Sequence, residues 1–220
     1  MTQRNRTEIM EMNEHNIIVI GSSTGGPKTL KEVFLGLPVL NASVIVVQHM
    51  PHYINESLKD KLGDRTEMNV KLAEDKDTLE PGTVYIARSE LHLKLRNNRK
   101  IRLIEGDKVN AVCPSIDVTM LSLRNGPGFH LMGVVLTGMG RDGADGITHV
   151  KKLGGTTIAQ DQETSQIYGM PKAAFATGDV DFVLTPPHIR EKLIEVVGTR
   201  RRSLMGRSLR QQSTQQVARY

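Results

Sequence analysis

Three polar residues stand where buried strands end: Ser23, His49 and Asp142. Ser23 lies in Gly21-Ser22-Ser23-Thr24-Gly25-Gly26, directly after the apolar run Ile17-Ile18-Val19-Ile20. His49 lies in Gln48-His49-Met50-Pro51, after Val44-Ile45-Val46-Val47. Asp142 lies in Thr137-Gly138-Met139-Gly140-Arg141-Asp142-Gly143, after the run Leu131 to Leu136. These types are a nucleophile, a base and a carboxylate. A serine hydroxyl attacks a carbonyl only when a base within hydrogen-bond reach takes its proton. Imidazole titrates in the range that suits this work. A carboxylate on the second ring nitrogen fixes the tautomer and steadies the imidazolium. In open α/β sheets, sites form at the carboxyl ends of strands, where all three residues fall.

Each residue also has a plainer reading. Ser23 suits a turn or helix cap, His49 a structural histidine and Asp142 a cap for the helix beginning at Gly143. The glycine loop would also suit an anion at a helix N-terminus. A non-catalytic anion- or nucleotide-binding α/β module is therefore the alternative. The loop lacks the lysine of a P-loop and does not match G-x-G-x-x-G. It also lacks an acidic residue ~20 positions on to hold a ribose. Position 43 is Ser, and Glu56 falls in a predicted helix. Other groups are weaker candidates. His49 and His52 have no third metal ligand at suitable spacing, and no metal is expected. Cys113 reads as buried filler rather than a nucleophile. Glu74, Asp75 and Asp77 read as a solvated acidic loop. Asp161 and Glu163, past a fourth strand, read equally as rim of the site or solvated turn.

The elements that must position these residues follow from periodicity. Strands are predicted at 16–20, 44–47, 131–136, 156–159 and 180–184, rich in β-branched residues as buried parallel strands are. Pro27 suits the first helical position. Leu30, Val33, Phe34 and Leu37 then mark an amphipathic helix ending near Gly36 and Pro38. Further helices are predicted around Ile54-Leu58-Leu62, from Pro114-Ser115, over Ala144-Ile147-Val150-Leu153, from Gly169-Met170-Pro171, and over 187–197. Three short runs at 83–87, 91–95 and 101–104 predict an antiparallel excursion, with a hairpin turn at Asn97-Asn98. The fold class expected is α/β: a doubly wound, mostly parallel sheet with helices on both faces and a small antiparallel hairpin excursion.

Composition narrows the function classes. The 220 residues suffice for one sizeable α/β domain. Mean hydropathy is −0.30. No apolar run approaches the ~20 residues of a membrane helix, so no membrane insertion is expected. The charged start is not expected to act as a secretory signal. Cys113 is the only cysteine, which suits a reducing, cytoplasmic setting. The net charge of +5 is uneven: six arginines fall in 199–220, which leaves −1 for residues 1–198. With aromatics at 4% and no Trp, nucleic-acid binding by the domain is not expected. Residues 1–14 read as a polar lead-in, 15–198 as the domain, and 199–220 as a basic, disordered tail.

Over about residues 15–198 the chain resembles the catalytic domain of the CheB family, the chemoreceptor protein-glutamate methylesterases. The resemblance rests on six blocks in order. They are Ile20-Gly21-Ser22-Ser23-Thr24-Gly25-Gly26, Gln48-His49-Met50-Pro51, Pro81-Gly82-Thr83-Val84-Tyr85-Ile86-Ala87, Pro114-Ser115-Ile116-Asp117-Val118, Leu136 to Gly143, and Tyr168-Gly169-Met170-Pro171. It implies Ser23 as nucleophile, with His49 and Asp142 completing a catalytic triad. It implies Thr24 as the loop threonine and Met139 as a backbone donor to the oxyanion. It implies hydrolysis of receptor glutamate γ-methyl esters, releasing methanol, and deamidation of receptor glutamines, with no cofactor. The partners implied are methyl-accepting chemotaxis receptors, through their cytoplasmic helical region, and a separate receiver or other chemotaxis protein. Two departures accompany it. Family members usually begin with a receiver domain of ~100–150 residues, whereas here fourteen residues precede His15; the expectation is a chain without that domain's phosphorylation control. Many relatives carry His-Arg before the proline of the fourth block, where this chain has Val112-Cys113.

Overall fold

The runs Ile17-Ile18-Val19-Ile20 and Val44-Ile45-Val46-Val47 pair side by side and in parallel at the centre of a seven-stranded sheet. The computed structural model describes residues 15–126 and 128–200. The lead-in at 1–14 and the tail from 201 lie outside the described residues. The strands of the sheet are β1 (His15–Ser22), β2 (Ala42–Gln48), β3 (Asn69–Leu72), β4 (Thr83–Ile86), β7 (Phe129–Val135), β8 (Thr156–Gln160) and β9 (Phe182–Leu184). Their order is β3-β4-β2-β1-β7-β8-β9, and every pairing is parallel. A separate antiparallel hairpin is formed by β5 (His92–Arg96) and β6 (Lys100–Ile104).

Strand periodicity divides the core in two. In β1, Ile18 and Ile20 face one side, and Ile17 and Val19 the other. The first side is covered by α1 (Gly26–Val33), α2 (Asn55–Gly63) and α6 (Pro186–Val197), through Leu30, Val33, Leu58, Leu62, Ile189 and Leu193. The second is covered by α3 (Ile116–Leu121), α4 (Ala144–Lys152), α5 (Met170–Phe175) and the hairpin, through Met120, Ile147, Val150, Met170, Leu93 and Ile101. Each such side chain, fully buried, contributes ~1.5–3 kcal/mol. This is the doubly wound sheet expected. The helices predicted at Leu30–Leu37 and Ala144–Leu153 bury the residues that marked them, apart from the half-buried Leu153.

Three details differ from the sequence reading. The run at 83–87 is not part of the antiparallel excursion. Val84, Tyr85 and Ile86 pair in parallel with Val44, Ile45 and Val46, inside the main sheet. The reason is burial on both faces, which a half-solvated hairpin strand would not have. The Tyr85 hydroxyl has its own partners at 3.0 Å, donating to Thr78 O and accepting from Glu80 N–H. The edge strand β3 was not predicted, because its polar-apolar alternation is only four residues long. The turn at Asn97-Asn98 forms as expected, both residues at positive φ (52° and 51°). Thr199 and Arg200, read as tail, fold back beside the segment leading into β2: Thr199 bridges Leu40, and Arg200 N–H donates to Val39 O at 2.7 Å.

Candidate active site

β1 is the first strand laid down, and the chain then winds away from it in both directions. At such a switch point the loops leaving adjacent strands diverge and open a crevice. The loops after β2, β1 and β7 carry His49, Ser23 and Asp142.

Gly25 makes the turn after β1 possible. Its φ of 83° belongs to the left-handed region, which a side chain resists. Ser22 and Ser23 then part company. Ser22 is fully buried and donates through Oγ to Gln48 Oε1 at 2.6 Å, whereas Ser23 is only half-buried. The same Gln48 amide donates to Ser23 O at 2.9 Å and His49 O at 2.8 Å. His49 N–H donates to Ser22 O at 3.0 Å, and Ser23 N–H donates to Thr137 O at 3.0 Å. Thr137 donates through Oγ1 to Thr24 O at 3.0 Å, and its N–H is held by Gln160 Oε1 at 2.8 Å. Buried Gln48, Thr137 and Gln160 thus tie the strand ends together. Their signal in the sequence is a polar residue at the close of each apolar run, which by itself carries no role.

His49 Nε2 and Asp142 Oδ2 are hydrogen-bonded at 2.9 Å. Asp142 is 2% exposed and accepts four further bonds. They come from Ser115 Oγ (2.7 Å), Asn110 Nδ2 (2.9 Å), Ile116 N–H (2.7 Å) and Asp117 N–H (3.2 Å). Burial alone would raise the Asp142 pKa. The bonds from His49, Asn110, Ile116 and Ser115 outweigh it and hold the carboxyl down at about 2. An ionised Asp142 fixes the imidazole proton on Nε2. That leaves the lone pair on Nδ1, which is buried and has no hydrogen-bond partner. The structure therefore joins His49 to Asp142 directly. It sets Ser23 on the neighbouring strand end without a hydrogen bond between Ser23 and His49.

Thr24 and Met139 flank this arrangement and are both exposed, Met139 at 79%. Among the described residues, neither backbone N–H has a protein acceptor. The N–H groups of Gly26, Lys28 and Thr29, which an anion cradle would use, donate instead to Ser23 O and Gly25 O. Beside the loop is a cleft of about 460 Å³ lined by Lys28, Glu163 and Gln166. Asp161 caps its own turn, accepting from Thr164 N–H at 3.2 Å.

The weaker candidates fall elsewhere. His52 shares a 3.4 Å contact with Asn55, and among the described residues no three His, Cys, Asp or Glu side chains are grouped to hold a metal ion. The thiol of Cys113 is pushed up by burial, then by Glu90. Glu74, Asp75 and Asp77 pair with Lys71, Arg88 and Arg102. Among the described residues no helix is long and apolar enough to cross a membrane.

Comparison with known proteins bears on this geometry. The family described as CheB methylesterase matches residues 18–193. A protein-glutamate methylesterase/protein-glutamine glutaminase of Clostridium acetobutylicum is 38% identical over 200 residues, covering 90% of this chain and 58% of that protein. One of Thermotoga maritima is 44% identical over 185 residues, covering 82% and 54%. The chain thus spans little more than half the length of these curated relatives. The crystal structure of the Thermotoga maritima CheB methylesterase catalytic domain superposes with a TM-score of 0.76 at 43% identity, covering 82% of this chain and 98% of that one. With a matching sequence over most of its length and a matching fold, the chain belongs to the CheB methylesterase family.

Proposed function

We propose that this chain hydrolyses glutamate γ-methyl esters on methyl-accepting chemotaxis receptors and deamidates receptor glutamines, using Ser23, His49 and Asp142. The observation that carries the reading is the buried, unpartnered Nδ1 of an imidazole whose Nε2 is bonded to an ionised carboxylate. A buried nitrogen left without a partner costs stability, and a nearby serine proton is what it is disposed to accept. The names of the relatives, protein-glutamate methylesterase/protein-glutamine glutaminase, support the substrate class.

Ser23 Oγ attacks the γ-carbonyl carbon while His49 Nδ1 takes its proton. Negative charge gathers on the carbonyl oxygen, where the N–H groups of Thr24 and Met139 are available to meet it; removing one such donor typically costs ~10²–10³ in rate. The tetrahedral centre collapses to an acyl-serine, and the imidazolium protonates the departing methoxide or amide nitrogen, which leaves as methanol or ammonia. Water, deprotonated by His49, then attacks the acyl-serine, and the imidazolium returns that proton to Ser23 Oγ as glutamate leaves. The partner surface is the cytoplasmic helical region of the receptor, and a separate receiver or other chemotaxis protein is the proposed regulator. In the test, Ser23→Ala should abolish methanol release from methylated receptor with the fold intact by circular dichroism. Undiminished release from that variant sinks the mechanism.

A further inference from the structure

A second buried carboxylate lies behind Asp142. Asp117, in the first turn of α3, is 2% exposed. Its Oδ1 accepts the N–H of Gly143 at 3.0 Å and of Gly146 at 2.7 Å, holding the start of α4. Asp142, immediately ahead of that start, accepts the N–H groups of Ile116 and Asp117 at the start of α3. Each helix is therefore begun on the aspartate of the other. Asn110, on an exposed loop at φ 53°, closes the arrangement. Its Nδ2 donates to Asp117 Oδ2 at 2.7 Å and to Asp142 Oδ1 at 2.9 Å. Neither carboxylate can turn without giving up a bond to a main chain that the other helps to fix.

We propose that Asp117, together with Asn110, is a positioning residue that fixes the Asp142 carboxylate and, through it, the His49 imidazole. The charged groups around Asp117 favour this over a simple ion pair. Asp142 and Arg141 face it from the loop before α4, and Asp145 from α4 itself. Arg141 is spent on Asp145, at 2.8 Å. No cation pairs with Asp117 among the described residues; it is held by backbone N–H groups and one amide.

The kinetic arm of the test rests on the methylesterase reading; the spectroscopic arm does not. Asp117→Asn keeps an acceptor for Gly143 and Gly146 but removes the charge and presents an NH₂ to Asn110. It should lower kcat about tenfold, with KM within twofold, because a small misplacement of the base is enough. Asn110→Gly, which keeps the left-handed backbone on an exposed loop, should lower kcat in the same direction and decides the matter if Asp117→Asn does not fold. In both variants the low-field proton resonance of the imidazole N–H shared with Asp142 should shift or broaden. Unchanged kcat and an unchanged resonance in both, beside an inactive Ser23→Ala, overturn the positioning role and leave the methylesterase reading standing. A fully active Ser23→Ala overturns that reading, and the resonance alone then decides the role of Asp117.

Discussion

Asp142 and Asp117 touch the same amide and yet titrate in opposite directions. Asp142 is held at about 2 by the bonds it accepts, below its ordinary 3.8. Its stabilising effect is complete above pH ~4 and is lost as the pH falls toward 2. Asp117 is pushed up to about 6, first by burial and, in part, by the Asp142 charge, against the opposing bond from Gly146. Between about pH 4 and 6 the native state holds a proton that the unfolded chain has released, so this contribution grows as the pH falls through that window. Asp117→Asn lacks it. Urea unfolding at pH 7 and pH 4.5 should therefore find wild type gaining on Asp117→Asn at the lower pH. A difference that stays the same at both pH values contradicts the assignment. At this scale the sequence was partly legible. The strand-end placement of Ser23, His49 and Asp142 was legible because each follows an apolar run. Asp117 and Asn110 were not: an acid in a helix's first turn after a serine cap reads as ordinary helix chemistry. Nothing in the sequence says that its partner lies in another helix.

Among the elements, α5 and the Ser23 loop both close on Gly138. Gly138, just past β7, lies where a Cβ would stand 2.3 Å from Met170 Sδ and 2.7 Å from the Ser23 Cβ. Its carbonyl also accepts the N–H groups of Gly169 and Met170, at 3.1 and 2.8 Å. Gly138→Ala must push back either α5 or Ser23. It should lower kcat about a hundredfold, as ~1 Å displacements at a reacting centre do, and methanol release measured beside the melting temperature checks this. A rate within twofold of wild type would mean that Met170 alone gives way. Helices and central strands were legible as elements because their apolar residues recur at periods of 3.6 or run unbroken. The position of 83–87 was not, because a short buried run fits a hairpin or a parallel strand equally well, and only its neighbours decide.

Across the whole molecule, stability and site are built from different layers. α6 closes the face away from the Asp117–Asp142 pair through Ile189, Leu193 and Val197. Leu193 is fully buried there, on the face opposite α3 and α4. Leu193→Ala should cost ~2–5 kcal/mol by leaving a cavity, read from urea unfolding, while kcat at low temperature stays within about threefold. A large fall in kcat with little loss of stability would contradict this separation. The doubly wound class was legible from the alternation of elements, whereas the strand order was not, since it depends on which edge of β1 each later strand chooses.

That choice has a consequence in time. His49 and Asp142 are 93 residues apart in the chain and meet across β1, whose two edges are taken by β2 and β7. During synthesis the chain emerges from its N-terminus at roughly 5–20 residues per second. Ser23 and His49 can come together as soon as β1 and β2 pair. The carboxylate follows several seconds later, once the hairpin, α3 and β7 have been made. The hydrolytic competence proposed above would thus be withheld from a half-made chain and arrive with the closing half of the sheet.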